Sequence, residues 1–126
     1  MPSRPFYLAG AFKRGDETLK VTNPYNGETA GEVSLASRED IDLAIERGVE
    51  AFRTTRAMPS YERANVLTQI AAQLNLRAEE FAKTITLENG KPIQASRKEV
   101  GRAAATFWWA AEEAKRIGEN FFLWIY

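Results

Sequence analysis

From Ser37 onward the apolar residues recur at helical spacing, in four successive stretches separated by helix breakers, and this restricts the chain to a mostly helical fold. In the first stretch Ile41, Ala44, Ile45, Gly48, Val49 and Phe52 fall at i, i+3, i+4, i+7, i+8 and i+11, a single stripe that must pack on something. Ser37 is placed to cap its start, and Glu39 and Asp40 put carboxylates at the positive end of the helix dipole. The stretch ends near Thr54-Thr55. Met58-Pro59-Ser60 restarts the chain, and Val66, Leu67, Ile70, Ala71 and Leu74 form a second stripe that weakens at Asn75. A third helix over 78–87 presents Phe81, Ala82 and Ile85 and stops at Asn89-Gly90. Pro92 suits the first turn of a fourth helix, in which Val100, Ala103, Ala104, Phe107, Ala111 and Ala114 make the longest stripe, closed by Gly118.

Residues 1–36 follow a different pattern. Phe6-Tyr7-Leu8 and Ala11-Phe12 flank a turn at Gly10, and Thr18-Leu19-Lys20-Val21-Thr22 alternates as a strand with one buried face. In Asn23-Pro24-Tyr25-Asn26-Gly27, Pro24 fixes φ while Asn26 and Gly27 tolerate positive φ, so the chain turns there and returns as a strand over 30–35. That arrangement makes 20–22 and 32–34 hairpin neighbours. The fold class is therefore α+β and mostly helical: a β-hairpin region over 1–36, then about four amphipathic helices over 37–118. At 126 residues and 44% hydrophobic content the chain suffices for one compact domain, or part of one.

Charge and residue inventory exclude more than they suggest. Lys plus Arg and Asp plus Glu each number 17, which leaves no net field to hold a nucleic acid. No apolar run approaches the roughly 20 residues of a spanning helix, so the expectation is no membrane partner and a cytoplasmic location. The sequence contains no Cys and no His, which removes disulfides, thiolate and imidazole ligands, Cys nucleophiles and His acid/base pairs together. There is no G-x-G-x-x-G and no G-x-x-x-x-G-K-[ST] to cradle a phosphate. The carboxylate pairs Glu39/Asp40, Glu79/Glu80 and Glu112/Glu113 sit on amphipathic helices and read as solvated faces.

Thr86-Leu87-Glu88-Asn89-Gly90-Lys91-Pro92 is, on its own terms, a helix end: Gly90 can take the left-handed cap and Lys91 complements the negative pole. The same string stands in an ordered set. Val21-Thr22-Asn23-Pro24 with Gly27-Glu28 precedes it, then Glu62-Arg63-Ala64 with Leu67; after it come Glu99-Val100 with Arg102-Ala103, then Trp109, Ala111-Glu112-Glu113-Ala114 and Arg116-Ile117-Gly118-Glu119. Taken together, over about 6–119, these motifs resemble the amino-terminal segment of the NAD(P)-dependent aldehyde dehydrogenase family, in particular members acting on small hydroxy- or phospho-aldehydes.

The resemblance implies a partial, truncated domain over 1–119 in which a β-hairpin and helices pack against a dinucleotide-binding domain. The family's nucleotide sheet, catalytic cysteine, glutamate base and oxyanion-hole asparagine have no counterpart in this sequence. No catalytic and no cofactor-binding residue is therefore assigned, and NAD or NADP belongs to the full-length family, not to this chain alone. Two local roles carry over. Glu88 matches an acidic position at which some members hold a monovalent cation with backbone carbonyls, here those of Val21 and Thr22; alternatively it is a helix-end carboxylate paired with Lys91. Arg102 matches a position lining the substrate entrance where members acting on phosphorylated aldehydes place an arginine, whose guanidinium suits phosphate or carboxylate. Alternatively it is a surface residue paired with Glu99 or Glu113. Trp108 and Trp109 read mainly as packing; alternatively, one of them borders the family's substrate tunnel.

Residues 120–126 do not follow the family pattern. Phe121-Phe122-Leu123-Trp124-Ile125-Tyr126 is an uncharged apolar run, either a strand docked on the body or the point where a core strand is cut short; undocked, it would favour aggregation. The functional expectation is a fragment of an aldehyde dehydrogenase, inactive by itself and partnered by the remainder of the enzyme or by an oligomer. The alternative is a free-standing helical protein-interaction module using the exposed stripes.

Overall fold

The computed structural model of the protein describes residues 3–116. Residues 117–126, which carry the Gly118 stop, the end of the last motif and the apolar run, lie outside the described residues. Four short strands, β1 (Phe6–Leu8), β2 (Ala11–Lys13), β3 (Thr18–Thr22) and β4 (Thr29–Ser34), precede four helices, α1 (Arg38–Thr55), α2 (Ser60–Leu76), α3 (Ala78–Asn89) and α4 (Ile93–Ala114). This is the mostly helical α+β order read from the sequence. The chain divides into two compact units, one of Met1–Ala57 with Lys83–Ile93, the other of Met58–Ala82 with Gln94–Tyr126.

In the first unit β1 pairs with β2 and β3 with β4, each antiparallel and each a separate two-stranded sheet. Lys20 faces Glu32 as the hairpin reading implied, but Thr22 faces Thr29 and Ser34 faces Thr18. The turn sets this register. Asn23 N–H donates to the Glu28 carbonyl at 2.8 Å, closing a tight loop that brings Thr29 back opposite Thr22, and the register shifts between Val21 and Thr22. Arg4 adds a further rung beside β4, donating to Glu32 O at 2.8 Å and accepting from Ser34 N at 2.9 Å.

α1 begins at a capping box. Ser37 Oγ accepts from Asp40 N–H at 3.2 Å and Asp40 Oδ2 accepts from Ser37 N–H at 3.0 Å, so two otherwise orphaned backbone donors are satisfied. Asp40 also forms an ion pair with Lys13, which ties β2 to the start of α1. The helix ends at Thr55, where periodicity placed its stop. Its apolar stripe, however, is not covered: Ile41, Ile45, Val49 and Phe52 are all exposed.

The second unit holds the buried apolar residues: Ala64 and Ala71 of α2, Ala82 of α3, and Val100, Ala104, Ala111 and Ala114 of α4. Because the contact positions are alanines, the helix axes can approach closely. The stripe on α4 is thus borne out at Val100, Ala104, Ala111 and Ala114. On α2 the buried side is the Ala64–Ala71 side, and Val66 and Ile70 of the expected stripe face outward. A two-pronged pair of Arg97 with Glu79, at 2.8 and 2.9 Å, links α4 to the first turn of α3. Among the described residues no helix is long and apolar enough to cross a membrane.

Candidate functional site

Two of the sequence landmarks meet in the first unit. The Asn23-Pro24 turn is self-ordered: Asn23 Oδ1 accepts from Tyr25 N–H at 2.9 Å, Gly27 N–H donates to the Asn23 carbonyl at 2.9 Å, and Glu28 N–H donates to Asn26 Oδ1 at 3.1 Å. Gly27 supplies the positive φ, 73°, that the turn requires. Against it lies the end of α3, where Gly90 takes φ 69° and donates to the Thr86 carbonyl at 2.9 Å. A Cβ on Gly90 would stand 2.9 Å from Pro24 Cγ and 3.2 Å from Tyr25 N, so this glycine is required both for its conformation and for the close approach.

That contact places the residues of the cation reading within one unit. Glu88 is exposed on the last turn of α3, Val21 is half-buried and Thr22 exposed. The ladder shifts register between Val21 and Thr22, the residues whose carbonyls that reading invokes. Glu88 takes part in none of the ion pairs among the described residues, so its alternative pairing with Lys91 is not formed. Among the described residues no three Asp or Glu side chains converge as a metal cluster.

Arg102 lies in the second unit on the exposed side of α4, opposite buried Ala104 and Val100. It lines a shallow cleft with Glu99, Ala103, Thr106 and Phe107. The pairing with Glu113 is not formed, since Glu113 instead takes Arg116 at 3.1 Å. No ion pair among the described residues includes Arg102; its one described bond is at its carbonyl, which accepts from Thr106 Oγ1 at 3.0 Å. The cleft thus offers a planar cation, in no ion pair among the described residues, beside an aromatic ring. Such a group binds a carboxylate, sulfonate or phosphate through paired hydrogen bonds. Trp108 and Trp109 stack edge to face at 4.9 Å but are 46% and 61% exposed, so they do not enter the alanine core. Trp108 lines a groove with Ala71, Ala72 and Gly101.

The capping interaction of Asp40 with Lys13 was not anticipated from sequence. The Lys13 ammonium, and then the Ser37 N–H, hold the Asp40 carboxyl below its ordinary value. Asp40, Ser37, Lys13, Arg14 and Arg38 border a cleft of 390 Å³, in which Lys13 is paired with Asp40 and Arg14 donates to Ser3, and the Lys13–Asp40 pair joins β2 to α1.

The aldehyde dehydrogenase family model matches residues 12–123. The chain is 40% identical over 111 residues to a 3-sulfolactaldehyde dehydrogenase of Priestia aryabhattai, covering 88% of this chain and 23% of that protein. Its structure is similar to that of aldehyde dehydrogenase 21 of Physcomitrella patens in complex with the reaction product succinate, with a TM-score of 0.88 and 44% identity over 93% of this chain and 25% of that one. It is also similar to PnpE in complex with nicotinamide adenine dinucleotide, with a TM-score of 0.85 and 30% identity over 93% of this chain and 24% of that one. The chain therefore spans about a quarter of the length of the relatives it matches.

Proposed function

The chain belongs to the aldehyde dehydrogenase family, and from that premise we propose that it is the amino-terminal part of an NAD(P)-dependent enzyme that oxidises a small aldehyde bearing an oxyanion, with Arg102 holding that anion. The observation that carries this reading is the state of Arg102: exposed on α4, bordering a cleft and in no ion pair among the described residues. The names of the relatives agree with it. One is named for a sulfonated aldehyde and another was solved with a dicarboxylate product; both carry the kind of group a guanidinium takes with two parallel hydrogen bonds.

The residues present do not fit the dinucleotide. The sequence has no glycine-rich phosphate loop and no cysteine, so neither cofactor binding nor attack on the aldehyde is assigned to it. The cofactor, which accepts the hydride, and the thiol belong to the remainder of the enzyme. That remainder, or an oligomer partner, also covers the exposed stripe of α1.

The test is a substrate comparison in the full-length enzyme. Arg102→Gln is expected to raise KM for an anionic aldehyde about 10- to 100-fold, the equivalent of one charged hydrogen-bonded contact. KM for an uncharged aldehyde of equal length should change little; equal effects on the two would overturn the assignment. In the same assay the isolated chain is expected to reduce no NAD(P)+, and reproducible turnover would refute that part of the reading.

A monovalent cation held by Glu88 with the carbonyls of Val21 and Thr22 is the second element of the proposal. It would bridge the end of α3 and the hairpin beside the contact that Gly90 already makes. Sodium or potassium should then raise the Tm of the full-length enzyme above that in a bulky organic cation at equal ionic strength, and Glu88→Gln should abolish the difference. A difference that survives the substitution would remove Glu88 from the site.

A further inference from the structure

We propose that Lys98 is a second anchor for the substrate's anion, one turn before Arg102 on α4; the proposal rests on the reading of Arg102 just given. The ion pairs on and after this helix divide its cations into two groups. Arg97 is paired with Glu79, Lys115 with Glu112 and Arg116 with Glu113. Lys98 and Arg102, both exposed, enter no ion pair among the described residues.

Their spacing makes the contrast informative. Residues four apart are neighbours on one helix face, where like charges repel and weaken the helix. A lone pair of cations at that spacing is relieved by an anion lying between them. The ridge continues one turn further to Thr106, whose hydroxyl proton is committed to the Arg102 carbonyl at 3.0 Å. On this ridge the cationic donors in no ion pair among the described residues are therefore Lys98 and Arg102. Glu99 borders the cleft from the adjacent row, and with two cations on the ridge the local balance stays positive whatever Glu99 contacts. A sulfonate or phosphate has three terminal oxygens. The guanidinium engages two of them with its fixed fork, and a flexible ammonium reaches the third.

The experiment uses the full-length enzyme with an anionic aldehyde and an uncharged aldehyde of equal length, comparing wild type with Lys98→Gln, Lys98→Arg and Arg102→Gln. Lys98→Gln is expected to raise KM for the anionic aldehyde about fivefold, with kcat and the uncharged substrate unaffected, and to flatten the rise of KM with added salt. Lys98→Arg, which restores the charge, should bring KM back to within about twofold of wild type. An unchanged KM in Lys98→Gln beside a raised one in Arg102→Gln would overturn the role of Lys98 and leave Arg102 in place. Equal rises for both substrates in Lys98→Gln would assign it a structural role and equally overturn the proposal. Equal rises for both in Arg102→Gln would instead remove the reading on which it rests.

Discussion

At the scale of single residues, two glycines of the first unit show how differently the same residue type can be constrained. Gly15 has an ordinary φ, so its constraint is space: a Cβ there would run into the carbonyl of Leu35, a backbone atom that cannot swing aside. The strand exit is fixed at that point because Leu35 N–H donates to the Glu17 carbonyl at 2.8 Å. Gly31, in β4, has nothing within contact distance of its would-be Cβ. Gly15→Ala is accordingly expected to cost about 2–3 kcal/mol, the range for forced overpacking. Gly31→Ala should change stability by less than about 0.5 kcal/mol or raise it, since a strand glycine carries excess chain entropy. Urea unfolding of the two variants decides the matter, and equal midpoints would show that the loop at Gly15 gives way. Neither outcome could be foreseen from the sequence, because the carbonyl that confines Gly15 is contributed by a residue 20 positions away in the chain.

At the scale of elements, the start of α1 carries a pH dependence whose sign follows from its contacts. Lys13 and the Ser37 N–H hold the Asp40 carboxyl below its unfolded value of 3.8. A group depressed in the folded state stabilises that state fully above its unfolded pKa, and the contribution is lost as pH falls through the folded one. The stability difference between wild type and Asp40→Asn should thus be constant at neutral pH and shrink between about pH 5 and about pH 2. A difference independent of pH would mean that the carboxylate charge has no part in it. The cap itself was half legible: Ser37 was placed correctly from its type and position, but Asp40 stands where the usual signature has Glu or Gln, and Lys13 is distant in sequence. Helix limits were readable because Gly90, Pro59 and the Thr54-Thr55 stop act locally. Strand register was readable only at Lys20 and Glu32, since the irregularity at Val21 and Thr22 leaves no pattern in residue types. Arg102 and Glu88 came from the family resemblance, as no periodicity distinguishes them from other charged residues on a helix surface. Lys98 could have been found from its spacing to Arg102, but that it enters no ion pair among the described residues is a structural fact.

At the scale of the whole molecule, the distribution of apolar side chains is inverted relative to a self-sufficient domain. The buried positions are mostly alanines, whereas Ile41, Ile45, Val49 and Phe52 along one face of α1 are 53%, 61%, 62% and 61% exposed. A contiguous stripe of large apolar residues on a helix marks a surface that another element covers. The chain spans about a quarter of the length of its relatives, so the proposed cover is the rest of such an enzyme. The proposal separates two experiments on the same pair of substitutions, Ile45→Ser and Val49→Ser. In the 126-residue chain each should leave stability within about 0.5 kcal/mol of wild type, because these side chains are already more than half exposed. Binding of a hydrophobic dye should fall at the same time. In the full-length enzyme each should cost about 1–4 kcal/mol, as the same side chains are then core and their truncation leaves cavities and a buried hydroxyl. Tolerance in both settings would show that nothing covers α1, and an equal loss in both would show that the stripe is already packed within the chain. Only the divergence of the two measurements is consistent with a helix whose stabilising contacts are supplied by residues beyond this sequence.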